Sequence, residues 1–579
     1  MNSSNISLAT TALDSFWEED KNLVALGEWC KINTSHKFID TVPYIWNNSS
    51  KKVDAINYTL NVYDILIEEL TVLLNLFHGI SQSRIYWELI IGNWLMTFIQ
   101  AVYNRYLTIR DFISLYPDFS TVLLDKSSYI TPMEYNDFTN RVTQSDVYNL
   151  QLYSQILDYL NYDFKTKKYH NNQILSLKSS RNNFKKKLLF KILNSFSIGS
   201  DITITSPYFD HGLISYLNLY LKSKCKVCYD DFEDDFEFKF IINKNDRNHL
   251  FKDNQRGDEF ISLLYNLFAV NFPILFLEGY KDFYNFVSKL EKPKSKLFAT
   301  TNALHGNYIY KFYMAKEHKN IKIVSIQHGG NYGTDIISSA EYYEKNVSDY
   351  FFTFGWGAKE NDINCSHEKI NIKFNSKKDG DIVFISTGDP RYDFRINIVY
   401  TSSLVKTDYI PTIENFLKNI TNLDLFLYRP YSKDYGFKIS ENIKKKFPSL
   451  RIENDRLKLK DRLKKSRLLI SDHFGTSVLE TLAQNYPTVI FLNRLHFKFR
   501  KPEIISLLED AKILFYDEVA AAKHINNINE DIDSWWLSPK VQKAREKFCY
   551  YYARTSDDWA EDWMKEFNNI LEENARNNS

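Results

Sequence analysis

A serine, an aspartate, a histidine and a glycine follow an apolar run in Leu468-Leu-Ile-Ser471-Asp472-His473-Phe-Gly475-Thr476-Ser477-Val-Leu-Glu480. The pattern predicts a strand ending at Ser471, a turn at Gly475 and a helix opening near Thr476. A helix N-terminus carries unpaired N–H groups and the positive end of a dipole, which suits a phosphate. Thr476 and Ser477 add hydroxyl donors, and Glu480, one turn on, is placed to reach a ribose diol. The plainer reading is an N-cap, because Ser or Thr before a helix is common. That reading leaves Asp472-His473 and Gly475 unexplained.

Three more segments carry polar chemistry at strand ends. In Ser325-Ile-Gln327-His328-Gly329-Gly330-Asn-Tyr-Gly333 a strand runs into a glycine-rich turn. Paired glycines let backbone approach a ligand closely, and His328 either contacts that ligand or is structural. It is not a Gly-x-Gly-x-x-Gly fingerprint. In Ala25-Leu-Gly-Glu28-Trp29-Cys30, Glu28 is a solvated cap or a group facing a cleft. In Phe426-Leu-Tyr-Arg429-Pro-Tyr-Ser-Lys-Asp434-Tyr435-Gly436, Arg429 suits bidentate contact with a carboxylate or phosphate. Tyr435 suits stacking on a base, and the alternative for the pair is a surface loop.

Other signals are weaker. Asp531-x-Asp533 and Asp379-x-Asp381 imitate a metal-binding Asp-x-Asp, but the first lies in a polar loop and the second in a linker. No Walker loop or His-Glu-x-x-His occurs, so no metal and no cofactor is expected. Cys225-x-x-Cys228 has no second pair to complete a zinc site. Asp230–Glu237 is an acidic run that reads as a solvated loop. Lys165–Lys191 is rich in Lys and Arg with Phe184, Leu188 and Leu189 interleaved. It reads as a solvated helical face or as a peripheral patch for anionic lipid.

The elements that must position these residues follow an α/β pattern. Strands are expected at 6–11, 22–27, 202–207, 273–277, 297–301, 321–326 and 350–355, with one large helical insertion at about 58–193 after the second strand. Glu28 and His328 would then close two strands of one N-terminal sheet. A polar linker at 371–381 leads into a tight alternation of strands at 382–386, 423–428, 450–452, 468–471, 488–492 and 513–516 with helices between, which implies a doubly wound parallel sheet. The expected division is an acceptor-side domain over 1–370, a nucleotide-binding domain over 382–536 and a helical tail over 537–579. In the tail Trp559 and Trp563 share one face that must be buried.

Composition agrees with a folded, multi-domain chain. The 579 residues are 44% hydrophobic and 25% charged, which excludes a disordered or fibrous protein. Lys+Arg number 73 against Asp+Glu 72, so no global field draws the chain to nucleic acid. Five cysteines are too few and too odd in number for a disulfide framework. The N-terminus lacks a basic, apolar leader, and the apolar window 85–106 is broken by Glu88, Asn93, Gln100 and Asn104. A cytoplasmic protein is expected, and the lipid-patch reading of the basic stretch would add association with the inner face of the plasma membrane.

Taken together, Leu-Ala-Thr-Thr-Ala-Leu with Leu-Gly-Glu28-Trp29-Cys30, the Tyr86-Trp87 to Trp94-Leu95 stretch, Gln327-His328-Gly329-Gly330-x-Tyr-Gly333, Asp434-Tyr435-Gly436 and Ser471-Asp-His-x-Gly-Thr-Ser-x-x-Glu480 resemble a family of bacterial surface-carbohydrate transferases. Its genes lie among O-antigen, capsule and flagellin-glycan clusters. The last element is similar, more loosely, to Kdo transferases and to the CDP-polyol phosphate transferases of teichoic acid synthesis. The resemblance implies a GT-B-like fold of two Rossmann-like domains, no metal, and transfer of a CMP-activated nonulosonic acid (pseudaminic, legionaminic or Kdo type) to a glycan, lipid-linked or protein acceptor. Glu28 and His328 would be catalytic, Glu28 as base and His328 as the group contacting the donor's phosphate or carboxylate. Gln327, Gly329, Gly330, Arg429, Tyr435, His473, Gly475, Thr476, Ser477 and Glu480 would hold the donor. The rivals are a CDP-polyol phosphotransferase and a non-catalytic scaffold docking through its tail and helical insertion.

Overall fold

The computed structural model describes residues 5–577 apart from 33, 48, 172, 174, 180–189, 193, 196, 198, 210, 211, 225, 253–256, 371–374, 397–401 and 454–456. Two six-stranded parallel sheets organise it. The first runs Asp362–Asn364, Tyr350–Thr353, Lys322–Ile326, Leu297–Thr300, Ile202–Thr205, Val227–Tyr229 in space. The second runs Arg451–Ile452, Phe426–Arg429, Asp381–Ile385, Ser466–Ser471, Thr488–Phe491, Leu514–Phe515. Central strands such as Leu297–Thr300 and Thr488–Phe491 are buried at every residue, as strands covered by helices on both faces must be. Each sheet reverses its strand order once, between Ile202–Thr205 and Leu297–Thr300 in the first and between Asp381–Ile385 and Ser466–Ser471 in the second. Such a reversal opens a crevice beyond the carboxyl ends of the strands. Two Rossmann-like sheets facing one another make the GT-B-like architecture that the resemblance implies.

The first two strands depart from expectation. Ile6–Ala9 and Asn22–Ala25 pair with Asp40–Thr41 in a separate three-stranded parallel sheet. Glu28 and His328 therefore close strands of different sheets. The helical insertion is also shorter than expected. Its helices are Ser49–His78, Arg84–Leu115, Tyr135–Gln144 and Asp146–Tyr159, followed by the short strands Thr166–Lys167 and Ser176–Lys178. The basic stretch is thus no continuous helical face: Lys167 and Lys178 lie on those strands, and 180–189, with Arg181, Phe184 and Lys185 to Leu189, fall outside the described residues. Cys225 does too, whereas Cys228 is buried on Val227–Tyr229. The apolar run expected as a strand at 273–277 forms a buried 3-10 turn, Ile274–Phe276. An apolar run alone does not separate a strand from other buried segments.

Helix Arg84–Leu115 is long and apolar enough to cross a membrane, yet 94% of its apolar window is buried inside the protein. It is apolar on nearly every side because other helices surround it. Its Arg105 donates to Ala101, Asn149 and the carbonyl of Asp393, while Gln100 accepts from the amide of Ile396. The insertion so grips the loop that follows the first strand of the second sheet. The tail also closes inward. On helix Trp559–Asn577, Trp559, Trp563 and Phe567 pack on Ile204, Ala299, Ile326 and Phe352 of the first sheet. Phe567 stacks on Phe352 at 5.3 Å, and the Trp563 indole donates to the Ser366 carbonyl at 2.7 Å. The paired tryptophans cover the chain's own sheet, so this face of the tail has no docking partner to seek.

Candidate active site

The crevices of the two large sheets meet through two loops. Helix Thr476–Ala483 opens at Gly475 with no side-chain cap; the Val478 amide bonds the Gly475 carbonyl, which leaves the amides of Thr476 and Ser477 to a ligand. Opposite it, the Gly330 amide donates to Thr476 Oγ1 at 3.1 Å. A Cβ on Gly330 would lie 2.4 Å from the Gly475 carbonyl carbon. The glycine is required by this approach, not by its own backbone angles.

Gln327, expected at the donor, does another job. It is fully buried; its Oε1 accepts from Phe354 N and Trp356 Nε1 at 2.9 and 2.7 Å, and its Nε2 donates to Gly329 O at 2.9 Å. With these groups spent, Gln327 shapes the Gly329–Gly330 turn and does not reach a ligand. Gly330 faces the helix start, whereas Gly329 packs against Asn331 and Tyr332 of its own turn.

His328 sits over a buried carboxylate that no local sequence signal marks. Glu344, on helix Ser339–Asn346, is fully buried. It accepts from His305 Nε2 at 2.5 Å, Tyr332 Oη at 2.6 Å and Ser325 Oγ at 3.1 Å. His328 Nδ1 lies 3.8 Å from the same carboxylate, buried and without a hydrogen-bond partner. Burial alone would raise the Glu344 carboxyl, but His328 and His305 outweigh it and hold it below its ordinary value. Burial lowers the His328 imidazole; Glu344 opposes this, while His305, Lys369 and Arg395 add to it. Burial thus favours the neutral form of the His328 imidazole, and Glu344 favours the charged one.

His305, His328 and Glu344 have their donor atoms within 4.8 Å of one another, and two histidines with a glutamate are a zinc-type donor set. Two features argue for a hydrogen-bond network instead. Glu344 already accepts three hydrogen bonds, and Lys369 and Arg395 both act on His328, a field that repels a cation and attracts an anion.

Glu480 pairs with that same Lys369 at 3.8 Å across the cleft. Lys369 also lies over the Tyr208 ring at 5.9 Å, and Tyr208 meets His328 at 5.9 Å edge-on. Gly330, His328, Lys369, Tyr208, Thr476 and Glu480 thus share one cleft. Ser477 follows Thr476 in the first helical turn. His473 Nδ1 pairs with buried Asp472 at 3.0 Å, and Asp472 also accepts from Thr387 N at 3.1 Å and Tyr409 Oη at 2.6 Å. Asp472 so ties together the two loops at the order reversal of the second sheet.

Two expected residues are engaged elsewhere. Arg429 donates to Glu453 at 2.6 Å and to the Leu457 carbonyl at 2.8 Å; its fork pins down the end of its own strand. Glu28, in the 3-10 turn Glu28–Lys31, is ion-paired with Lys31 at 2.8 Å and lies beside Ser403. Its charge also acts on Lys406. Tyr435, by contrast, lines a pocket with Thr387, Asp389 and Tyr431 at the end of the second sheet's first strand.

That pocket holds a group missed by sequence reasoning. Asp389 Oδ2 is buried without a hydrogen-bond partner. Burial, then Asp393, raises its carboxyl well above the usual range against the pull of Lys52 and Arg395. Lys52, from the helical insertion, is lowered by burial to about 8, with Asp393, Asp389 and Asp335 opposing. The Gly388-Asp389-Pro390 turn after a strand was a local signal for Asp389. Lys52 carried none, because only the tertiary fold brings it close enough to act on Asp389.

Solved structures give distant likenesses only. TarM is 16% identical over 49% of this chain, with a TM-score of 0.32; the match spans 57% of TarM's own length. The UDP co-structure of S. aureus MnaA is 10% identical over 62% of this chain and 94% of that one, TM-score 0.34. Anabaena Alr3699/HepE with UDP and glucose is 10% identical over 64% and 99%, TM-score 0.36. At these scores nothing about function follows. No curated protein matches the chain. The family model described as LIC12162 family transferase matches residues 6–567, and the chain belongs to that family of transferases.

Proposed function

We propose that the protein is a glycosyltransferase that moves a CMP-activated nonulosonic acid onto a bacterial surface glycan, the acceptor being lipid-linked or protein-borne. The observation that carries this reading is the uncapped start of helix Thr476–Ala483, which meets the Gly330 turn two residues after His328, with Lys369 and Arg395 close enough to act on that histidine. An acidic sugar on a nucleoside monophosphate is anionic at both ends of the bond to be broken. Helix amides and two cations suit it, and they stabilise the leaving phosphate without a metal.

In the proposed reaction the bond between the anomeric carbon and the phosphate oxygen breaks, CMP leaves, and an acceptor hydroxyl oxygen takes its place. The hydroxyl proton needs a base. We assign it to His328 in preference to Glu28, because Glu28 is already ion-paired with Lys31. With Nδ1 protonated toward Glu344, the other ring nitrogen of His328 can take the proton, and Glu344 stabilises the resulting imidazolium. The basic stretch at 165–191 would bring the enzyme to the inner face of the membrane if its acceptor is lipid-linked.

The test is a thermal-shift panel of CMP, CDP, UDP and GDP, followed by turnover. A nucleotide at 100 times its Kd adds roughly 2.7 kcal/mol of stability. CMP should give the largest shift, and free CMP should be released from a CMP-nonulosonate. Release of CMP from a CDP-polyol would favour the phosphotransferase, and binding with no turnover of either donor would leave the scaffold.

A further inference from the structure

Asp472 and His473 lie between strand Ser466–Ser471 and helix Thr476–Ala483, and the hydrogen bonds around the imidazole fix its tautomer. His473 Nδ1 is 3.0 Å from Asp472 Oδ1 and 3.3 Å from Ser471 Oγ. The carboxylate can only accept. The Ser471 hydroxyl gives its one proton to the His473 carbonyl at 2.8 Å, so toward the ring its oxygen can only accept as well. Both partners require the proton on Nδ1, and Nε2 of the neutral ring then carries none. Asp472 cannot turn away, because the Thr387 amide holds Oδ1 at 3.1 Å and the Tyr409 hydroxyl holds Oδ2 at 2.6 Å.

Nε2 is delivered to the start of the helix. A Cβ on Gly475 would stand 2.9 Å from His473 Cδ2 and 3.1 Å from His473 Nε2. The ring edge thus borders the space from which an N-cap hydroxyl would reach the first-turn amides. Yet no side chain caps this helix, and among the described residues Nε2 makes no hydrogen bond. The amides of Thr476 and Ser477 and a ring nitrogen without a partner stand side by side.

We propose that His473 is the general acid of the transfer: held by Asp472, it takes up a proton as CMP binds and donates from Nε2 to the phosphate oxygen that leaves the anomeric carbon. The proposal rests on the glycosyltransferase reading above. Only the imidazolium has a proton on Nε2 as well as on Nδ1, and a carboxylate on Nδ1 balances its charge. As the bond between the anomeric carbon and the phosphate oxygen breaks, its electron pair stays on that oxygen and the Nε2 proton goes to it. The acceptor hydroxyl's proton goes to His328, so one histidine loses a proton while the other gains one. The donor's phosphate is a diester with one negative charge, and the product's is a monoester that tends to two. A cation on Nε2 is therefore worth more after the bond breaks than before, which is what lowers a barrier. The charged and titratable groups of the neighbouring elements are Glu480 with Lys369, Tyr409 on the far oxygen of Asp472 and Asp389, whose carboxyl Asp472 helps to raise. None of them bonds Nε2.

The experiment is calorimetric titration of the full chain with CMP, cytidine and the methyl phosphodiester of CMP. It is run in PIPES, HEPES and Tris, which differ in heat of ionisation, at about pH 7.5, where free CMP is a dianion. CMP should bring in close to one proton, the diester less and cytidine none, and CMP should bind more tightly than the diester. His473→Gln should abolish the uptake and weaken CMP by about tenfold to a hundredfold, the loss of a charge-assisted hydrogen bond, while cytidine binds as before. Gly475→Ala, whose methyl turns the ring from the helix start, should lower the uptake, and His328→Gln should keep it. CMP bound by the wild type without proton uptake, equal affinity for CMP and its diester, or uptake unchanged in His473→Gln overturns the acid and leaves the CMP reading standing. UMP or GMP bound as tightly as CMP, with the same His473-dependent uptake, keeps the acid and overturns the cytidine reading. No binding of any nucleotide overturns both.

Discussion

The Gly330 amide and the Thr476 hydroxyl meet at 3.1 Å across the boundary between the two large sheets. One loop ends the strand that carries His328, and the other opens the helix proposed to hold phosphate. Their contact fixes the distance between a histidine and a helix dipole, which is the quantity a transfer site must control.

Gly330→Ala tests that contact. The added methyl would stand 2.4 Å from the Gly475 carbonyl carbon, and neither backbone can yield without moving its loop. Overpacking of this kind costs about 1–3 kcal/mol of stability. Transfer should fall further than stability accounts for, through a raised KM for the donor. A variant with wild-type KM and kcat would show that the loops need not touch.

Glu480→Ala should weaken CMP binding by roughly 1–3 kcal/mol, the cost of leaving a polar partner unsatisfied. Glu480 also faces Lys369 at 3.8 Å, so the loss should be partly offset at the phosphate, where Lys369 is released. Calorimetric titration of CMP into Glu480→Ala and Lys369→Ala measures both. Unchanged affinity in Glu480→Ala, with the fold intact, would remove that residue from the site.

Much of this frame is legible in the chain. The strand–turn–helix around Gly475 stands where its residues predict, because strand patterning and a glycine turn are local signals. His328 likewise lies at a strand end in the cleft. Local reading failed where long-range contacts decide. Strand patterning puts Glu28 in the sheet of His328, but nothing in Ala25-Leu-Gly-Glu28 tells which sheet the strand joins, and it joins another. Arg429 has the chemistry of a phosphate ligand, and only Glu453, 24 residues away, shows that its fork is taken. Glu344 and Lys52 sit on ordinary helices and gain meaning only through the partners that tertiary packing brings to them.

The base assignment separates by substitution and by pH. General base catalysis contributes typically about 10²–10⁴-fold, so His328→Ala should lose transfer on that scale while CMP still binds. Glu344→Gln should lose less and should move the acid limb of the rate to lower pH, because the carboxylate that favours the imidazolium is gone. In the wild type that limb should lie below about pH 6.5, the ordinary histidine value, since burial lowers His328. Glu28→Gln should transfer at near the wild-type rate. A large loss there, with His328→Ala active, would return the proton to Glu28.

Chelation tests the alternative for the same residues. His305, His328 and Glu344 have a zinc-type donor set, yet Glu344 already accepts three hydrogen bonds and Lys369 and Arg395 act on His328. Transfer should be unchanged after exhaustive dialysis against EDTA, and metal analysis should find no stoichiometric zinc. Activity lost on chelation and restored by a divalent ion would make the trio a metal centre.

The last prediction concerns stability and the residue that carries Lys369 into the cleft. His367 is buried; its Nε2 donates to the Pro207 carbonyl at 3.2 Å, and its Nδ1 accepts from the Lys369 amide at 2.9 Å. Only a neutral imidazole can make both bonds. Burial first, then Lys369, lowers it to about 3, with the Pro207 bond opposing. The unfolded chain takes up this proton near pH 6.5, whereas the folded chain stays neutral until about 3. Between those values the unfolded state binds more protons, so stability is full above about pH 6.5 and is lost as pH falls, by about 1.4 kcal/mol per unit for this one group. Urea unfolding at pH 4.5, 5.5 and 6.5 should therefore give a shallower decline for His367→Gln than for the wild type, by about one proton. His367→Gln should be less stable at pH 7 and should bind CMP more weakly, because the Lys369 backbone loses its acceptor. Parallel pH profiles for the two proteins would show that His367 is not held neutral, and wild-type CMP affinity in the variant would detach it from the placement of Lys369.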